Sequence, residues 1–410
     1  MPAPVPLTEP RDGVPVPLTT PAELDPVVDA LAGTSGPVAV DAERASGYRY
    51  GQQAYLVQLR EATTGTVLID PVPLRDLTSL GEAILDQEWV LHAASQDLPC
   101  LRELGMTPTR IFDTELAARL LGHPRVGLGP LVEEVLGLSL EKGHSAADWS
   151  TRPLPEPWLR YAALDVEVLL ELRAALAAEL AEQGKTEWAR QEFAAIVDAP
   201  PATPRSDRWR RTSGLHRVRR RRQLAVVRAL WERRDEVARR RDIAPGRVLP
   251  DAAIVGAALA QPRTAEELVG LPVWGGRSLR RQTATWLPAI SQALALPENE
   301  LPDLKATQDG PPPARGWADR DPAAAARLSA ARAAVSELAE KHNVPTENLL
   351  APDTIRRLMW RQVVAADASP EAVAAFLRGH GAREWQVKLT ASALAEALTV
   401  EPASPTAEPS

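Results

Sequence analysis

Pro37-Val-Ala-Val-Asp-Ala-Glu43 is a short apolar run that ends in two carboxylates. Its composition suits a buried strand. Side chains at i and i+2 share one face of an extended chain. Asp41 and Glu43 therefore point together from the end of that strand. A D-x-E pattern is common, and alone it fits a solvated strand end. Further strand runs lie at Tyr55 to Arg60 and Thr66 to Ile69, with a turn at Thr64-Gly65 between them. Trp89 to His92 and Arg110 to Phe112 read as two more. Helical stretches alternate with these strands, the longest from about Pro157 to Glu182. The pattern predicts a mixed sheet covered by helices.

The chain of 410 residues is 45% hydrophobic and 25% charged, which excludes a wholly disordered protein. No apolar run approaches the roughly 20 residues of a membrane helix, and the Pro-rich start does not read as a signal peptide. Cys100 is the single cysteine, so an internal disulfide and a multi-cysteine zinc framework are both excluded. A cytoplasmic location is expected. The net charge is −7, and of the 47 basic residues only five are lysine. Genomic base bias explains such an arginine excess as readily as function does. Its position is more informative: Arg205 to Arg241 holds 15 arginines against four acids, a net +11 in a chain whose remainder carries −18.

Prolines divide the rest. Breaks fall at Asp198 to Pro204, at Pro297 to Asp321 and at Pro402 to Ser410. The two later blocks are helical in pattern and resemble each other weakly. Pro245-Gly-Arg-Val-Leu-Pro-Asp251 has a counterpart in Pro345 to Asp353, each following an Arg/Ala-rich helix pattern.

Two further acids stand in the first block. Asp97 follows the Trp89 to His92 strand and suits a helix N-terminus. Tyr161-Ala-Ala-Leu-Asp165 places Tyr161 and Asp165 on one helical face, which is otherwise apolar. An acid there is costly unless paired or bound to a cation. Taken singly, each has an ordinary structural reading. Together, four carboxylates converging with no basic partner repel one another and call for divalent cations. Oxygen ligands of this kind suit Mg²⁺ or Mn²⁺, not zinc.

The order of these residues resembles the DEDD family of 3′→5′ exonucleases, in its tyrosine-containing branch, over roughly residues 36 to 196. The first motif falls on Asp41 and Glu43, the second on Asp97, the third on Tyr161 and Asp165. Leu140 to Pro155, leading into the third motif, is the strongest stretch. The resemblance implies an RNase H-like α/β fold. It also implies two divalent cations, Mg²⁺ or Mn²⁺, held by Asp41, Glu43, Asp97 and Asp165, with Asp41 bridging them. Tyr161 is expected to orient the attacking water, and nucleoside 5′-monophosphates to leave from RNA 3′ ends. Ala42 stands where the family often has Thr, Arg44 where an aromatic is common, and Val168 where a second aromatic often follows. None is an expected metal ligand; they bear on base stacking and substrate preference. No histidine is required, and His92, His123 and His144 are read as structural or solvent-facing.

The later blocks resemble HRDC domains, the second divergently. The expected organisation is a flexible N-terminus (1–20), the exonuclease domain (21–200), a basic linker (201–216), an HRDC domain (217–296), a Pro-rich linker (297–322), a divergent HRDC-like domain (323–400) and a disordered tail (401–410). Arg210, Arg211, Arg217, Arg219, Arg220, Arg221 and Arg222 are expected to track a phosphate backbone, and Lys142 to meet a phosphate. A second reading, compatible with the favoured phosphate track, is a helix with Leu224, Val227, Trp231 and Ala238 in its core and its arginines solvated. The expected partner is RNA, with tRNA precursors or other structured RNA carrying 3′ extensions implied by the family. No membrane and no obligate protein partner are expected. A DNA-directed exonuclease and a catalytically silent scaffold are the other readings, and retention of all four acids and the tyrosine speaks against the scaffold.

Overall fold

In a computed structural model, the described residues are 3–141, 143–144, 146–201, 203, 206–305, 310–360 and 368–401. The strands are β1 (Val5–Leu7), β2 (Val38–Arg44), β3 (Ala54–Glu61), β4 (Gly65–Ile69), β5 (Glu88–Leu91), β6 (Arg110–Asp113) and β7 (Leu138–Leu140). Five of them form one sheet in the order β4-β3-β2-β5-β6. β2 is antiparallel to β3 and parallel to β5, so it sits at the centre of a mixed sheet. Asp41 and Glu43 project from its last residues, where the register slips between Glu43 and Arg44. The β3–β4 hairpin is tied by Glu61, whose carboxylate accepts the amides of Thr63 and Thr64 at 2.8 and 2.9 Å. Gly65 closes it at φ +76°, a conformation glycine adopts without a Cβ penalty.

Helices cover the sheet. Those used below are α1 (Leu98–Glu103), α2 (Thr114–Leu121), α3 (Glu156–Glu167), α4 (Leu169–Glu182) and α5 (Thr186–Val197). The single long helix expected from Pro157 to Glu182 is two helices, α3 and α4, that meet at Val168. The apolar pattern runs unbroken through Val168, so it carries no sign of the break. The N-terminal segment, expected to be flexible, is strapped to the domain over its described part. β1 pairs in parallel with β7, Leu18 exchanges backbone hydrogen bonds with Leu68 and Asp70, and Arg11 pairs with Glu171.

Among the described residues beyond 207 the regular elements are all helices. α6 (Arg221–Arg241), α7 (Asp251–Ala260) and α8 (Thr283–Ala295) enclose a core of their own, built on Leu230, Trp274, Trp286 and Ile290. Trp209 is buried in that core, so the stretch expected to be a linker belongs in part to this module. The last module, with α9 (Pro322–Lys341) and α10 (Glu384–Leu398), shares a continuous core with the exonuclease block. Trp385 of α10 stacks on Trp188 of α5 at 4.6 Å, and Glu192 accepts from both Arg383 and the Trp385 indole. Asn343 donates to the Leu121 carbonyl at 2.8 Å, directly over Gly122, where a Cβ would collide with the amide.

Candidate active site

The carboxylate oxygens of Asp41, Glu43 and Asp165 come within 4.8 Å of one another. Two come from the end of β2 and the third from α3, which packs across that end of the sheet. Asp97 stands where a short turn meets the start of α1, and its carboxyl bonds that of Asp41. Its own side chain caps no helix amide, which leaves the carboxylate directed at the cleft. The turn is held by Asp113. That buried carboxylate accepts the amides of Ala93, Ala94 and Leu116 at 3.1, 2.9 and 3.1 Å, and so fixes both the turn before Asp97 and the start of α2. Asp113 follows the strand Arg110 to Phe112 much as Asp41 follows its own. Its place at a strand end is the sequence signal for it.

The cleft has a volume of about 590 Å³, and Asp41, Glu43, Arg44, Asp97, Tyr161 and Asp165 line it. Burial raises all four carboxyl groups above their ordinary values, Asp97 to about 8, and repulsion from neighbouring carboxylates adds to it for Glu43, Asp97 and Asp165. One cation does face them, contrary to the expectation of no basic partner. The Arg44 guanidinium lies 3.3 Å from Asp97 and donates to the Gln96 carbonyl at 2.7 Å. It lowers the Asp97 carboxyl but does not offset its burial. The donor set is all carboxylate, packed closely enough to be unstable when fully ionised. That fits hard divalent cations, which favour oxygen ligands.

Tyr161 stands on the same face of α3 as Asp165. Burial and the surrounding carboxylates hold its phenol above the ordinary tyrosine range, so it stays protonated at neutral pH. The His144 ring, half-buried, meets it edge-on at 5.8 Å and so packs on the tyrosine. His92 lines the cleft but bonds Thr114 at 2.9 Å, and burial pushes its pKa down to about 4. His123 lies between Glu134 and Glu179, a structural position. Cys100 is buried behind Asp97, its thiol pushed up to about 12. Gln58 was not anticipated. It is the cross-strand neighbour of Asp41 on β3, is fully buried, and its side-chain amide has no partner among the described residues.

The basic residues divide. Arg210 pairs with Asp207, covers the Trp209 ring and donates to the Asp303 carbonyl. Arg221 donates to the carbonyls of Leu301 and Pro302, and Arg222 to that of Leu296 and to Glu298. These three hold the end of the α8 module against the start of α6. Arg211, Arg217, Arg219 and Arg220 are exposed, with no acidic partner among the described residues. Lys142 lies outside the described residues. The loop that follows Glu43 is docked on this module. Arg247 covers the Tyr48 ring at 4.0 Å, and the Tyr50 hydroxyl bonds Asp235 at 3.1 Å.

A family model described as 3′-5′ exonuclease matches residues 15–181, and an HRDC model matches residues 223–290. Residues 310–398 match a 3′ to 5′ exonuclease C-terminal domain, the region expected to be a second HRDC-like module. Ribonuclease D of Granulibacter bethesdensis is 32% identical, with 82% of each chain covered. Ribonuclease D of Gluconacetobacter diazotrophicus is 31% identical over 80% of this chain and 86% of its own. Among solved structures, a protein from Bifidobacterium adolescentis is 41% identical, with a TM-score of 0.88 over 96% of this chain and 99% of its own. Escherichia coli RNase D, described as an exoribonuclease involved in structured RNA processing, is 28% identical. It has a TM-score of 0.68 over 95% of this chain and 99% of its own. The carboxylate cleft thus sits in a mixed, helix-covered sheet shared with these proteins, and the chain belongs to the ribonuclease D family of 3′-5′ exoribonucleases.

Proposed function

We propose that Asp41, Glu43, Asp97 and Asp165 hold two divalent cations, Mg²⁺ or Mn²⁺, and with Tyr161 form the hydrolytic centre for RNA 3′ ends. The observation that carries this reading is the convergence of Asp41, Glu43 and Asp165 within 4.8 Å. Bound ions would supply a nucleophilic water at neutral pH and neutralise charge on the phosphate. Asp41 clusters with Glu43 and Asp165 and also bonds the Asp97 carboxyl, which suits it to share an ion with the others. Tyr161 keeps its proton, so its hydroxyl orients the water and does not act as a base. The product is a nucleoside 5′-monophosphate, with the upstream strand leaving by its 3′ oxygen.

The substrate we infer is structured RNA with a 3′ extension, tRNA precursors among them. The likeness to Escherichia coli RNase D across most of both chains supports it. Arg211, Arg217, Arg219 and Arg220 offer exposed positive charge to its backbone, and from the sequence we assign Lys142 a phosphate contact as well. Arg210, Arg221 and Arg222 shape the module beneath. No helix among the described residues is long and apolar enough to cross a membrane, and we place the activity in the cytoplasm. Matched 3′-tailed RNA and DNA, incubated with Mg²⁺, Mn²⁺ or EDTA, test the reading. RNA should shorten from its 3′ end only with a divalent ion. Activity in EDTA would overturn the metal site, and equal rates on DNA would overturn the RNA assignment.

A further inference from the structure

A second cavity, of about 400 Å³, opens on the α6 module. Arg208, Arg211, Trp231, Arg234, Asp235 and Asp251 are among the residues that line it. Its two acids are already engaged. Asp251 is held by Arg234 at 2.6 Å and by the Ser213 amide at 2.7 Å; Asp235 is held by Arg239 and by Tyr50. Arg208 and Arg211 have no acidic partner among the described residues, and both are exposed. Trp209, which lies between them in sequence, is buried in the module core while Arg208 and Arg211 stay exposed. Trp231 is half-buried. The guanidinium groups of Arg208 and Arg234 lie 5.4 and 5.9 Å from its ring centroid, and the ring keeps part of its surface open to solvent.

A pocket walled by an indole and two unpaired guanidinium groups has the chemistry of a nucleotide site. The cations take a phosphodiester, and the ring takes a base or sugar. Its position names the ligand more closely. Asp235 in the wall is bonded to Tyr50, which lies in the loop leaving β2 just beyond Glu43 and Arg44. The pocket therefore abuts the junction between the catalytic domain and the α6 module. A strand entering the cleft by its 3′ end has its upstream nucleotides to place, and this pocket lies beside the loop next to that cleft.

We propose that Arg208, Arg211 and Trp231 form a subsite for one upstream nucleotide of the RNA strand, an inference that rests on the exoribonuclease reading. Arg208 and Arg211 hold its phosphate, and Trp231 packs against its base.

The test is binding of a 5′-labelled single-stranded RNA of about twelve nucleotides to the full chain in EDTA, by fluorescence anisotropy over a salt series. Arg208→Ala with Arg211→Ala should weaken binding about tenfold and flatten the dependence of log affinity on log salt by about 1.4, from two lost phosphate contacts. Trp231→Leu should weaken binding by about fivefold or more with the salt slope kept, as loss of stacking requires. Arg332→Ala, an exposed arginine on the last module, is the control for general charge and should leave both unchanged. The arginine pair is on the surface, so its result stands even if Trp231→Leu melts early. Unchanged affinity and slope in the arginine variant would overturn the subsite. So would displacement of the RNA by an equal concentration of AMP, which would mark a mononucleotide site. The same RNA incubated with the wild type and Mg²⁺ reads the exoribonuclease assignment separately. Failure there with the binding pattern intact would overturn the hydrolytic reading and keep the strand site.

Discussion

Arg44 holds Asp97: its guanidinium lies 3.3 Å from one carboxylate oxygen, across 53 residues of sequence. A divalent ion at Asp97 must share or displace that contact, and two cations at one carboxylate oppose each other. Arg44→Ala should therefore tighten Mn²⁺ binding several-fold, measured calorimetrically without substrate. Weaker binding in the variant would show that Arg44 supports the ion.

The buried carboxyl groups predict how stability changes with pH. Their folded pKa values lie above the unfolded ones, so the folded state keeps protons that the unfolded chain releases. Without metal, their favourable contribution is complete below about pH 4. It is lost as pH rises toward about 8, the folded value for Asp97. The melting temperature in EDTA should fall between pH 5 and pH 8 because of this site, and Mg²⁺ should raise it most at the upper end. Asp97→Asn should flatten the EDTA profile. A profile with no difference between wild type and Asp97→Asn would contradict the account.

Tyr161→Phe removes a hydroxyl and little else. If the phenol orients water, kcat should fall by about 10²-fold or more. The hydroxyl also bonds Asp165, so Mn²⁺ affinity should fall too, but by less than kcat does. A matching loss of metal affinity would make Tyr161 a support for the ligands instead.

Glu192 is buried against the last module and serves two donors, Arg383 and the Trp385 indole. Glu192→Leu strands a half-buried guanidinium, which costs about 3–5 kcal/mol in comparable buried pairs. Partial exposure of Arg383 puts the expected loss at the lower end. Urea unfolding should show it, with earlier proteolysis between residues 300 and 320.

Much of the catalytic domain was legible in sequence because its signals are local. All five strands of the main sheet follow apolar runs bounded by turns, and the carboxylates sit at their ends or on one helix face. What escaped depends on distant partners. β1 and β7 are three residues each, too short for any period, and they meet only because the fold brings residue 5 beside residue 138. The Arg44–Asp97 contact joins a strand end to a distant turn, and Gln58 meets Asp41 through strand register; no single segment announces either. The arginines of the basic segment look alike in sequence. Carbonyls at Leu296, Leu301 and Asp303 separate those that brace the module from those left to solvent.

The hydrolytic centre is tested most directly at Asp41, the carboxylate that adjoins the other three. In single-turnover assays on 3′-labelled RNA with Mg²⁺, wild type should release labelled nucleoside 5′-monophosphate. Asp41→Asn should fall to the level of wild type in EDTA, with its melting temperature retained or raised. Release by Asp41→Asn at a rate near wild type would contradict the assignment of this cleft as the site of hydrolysis.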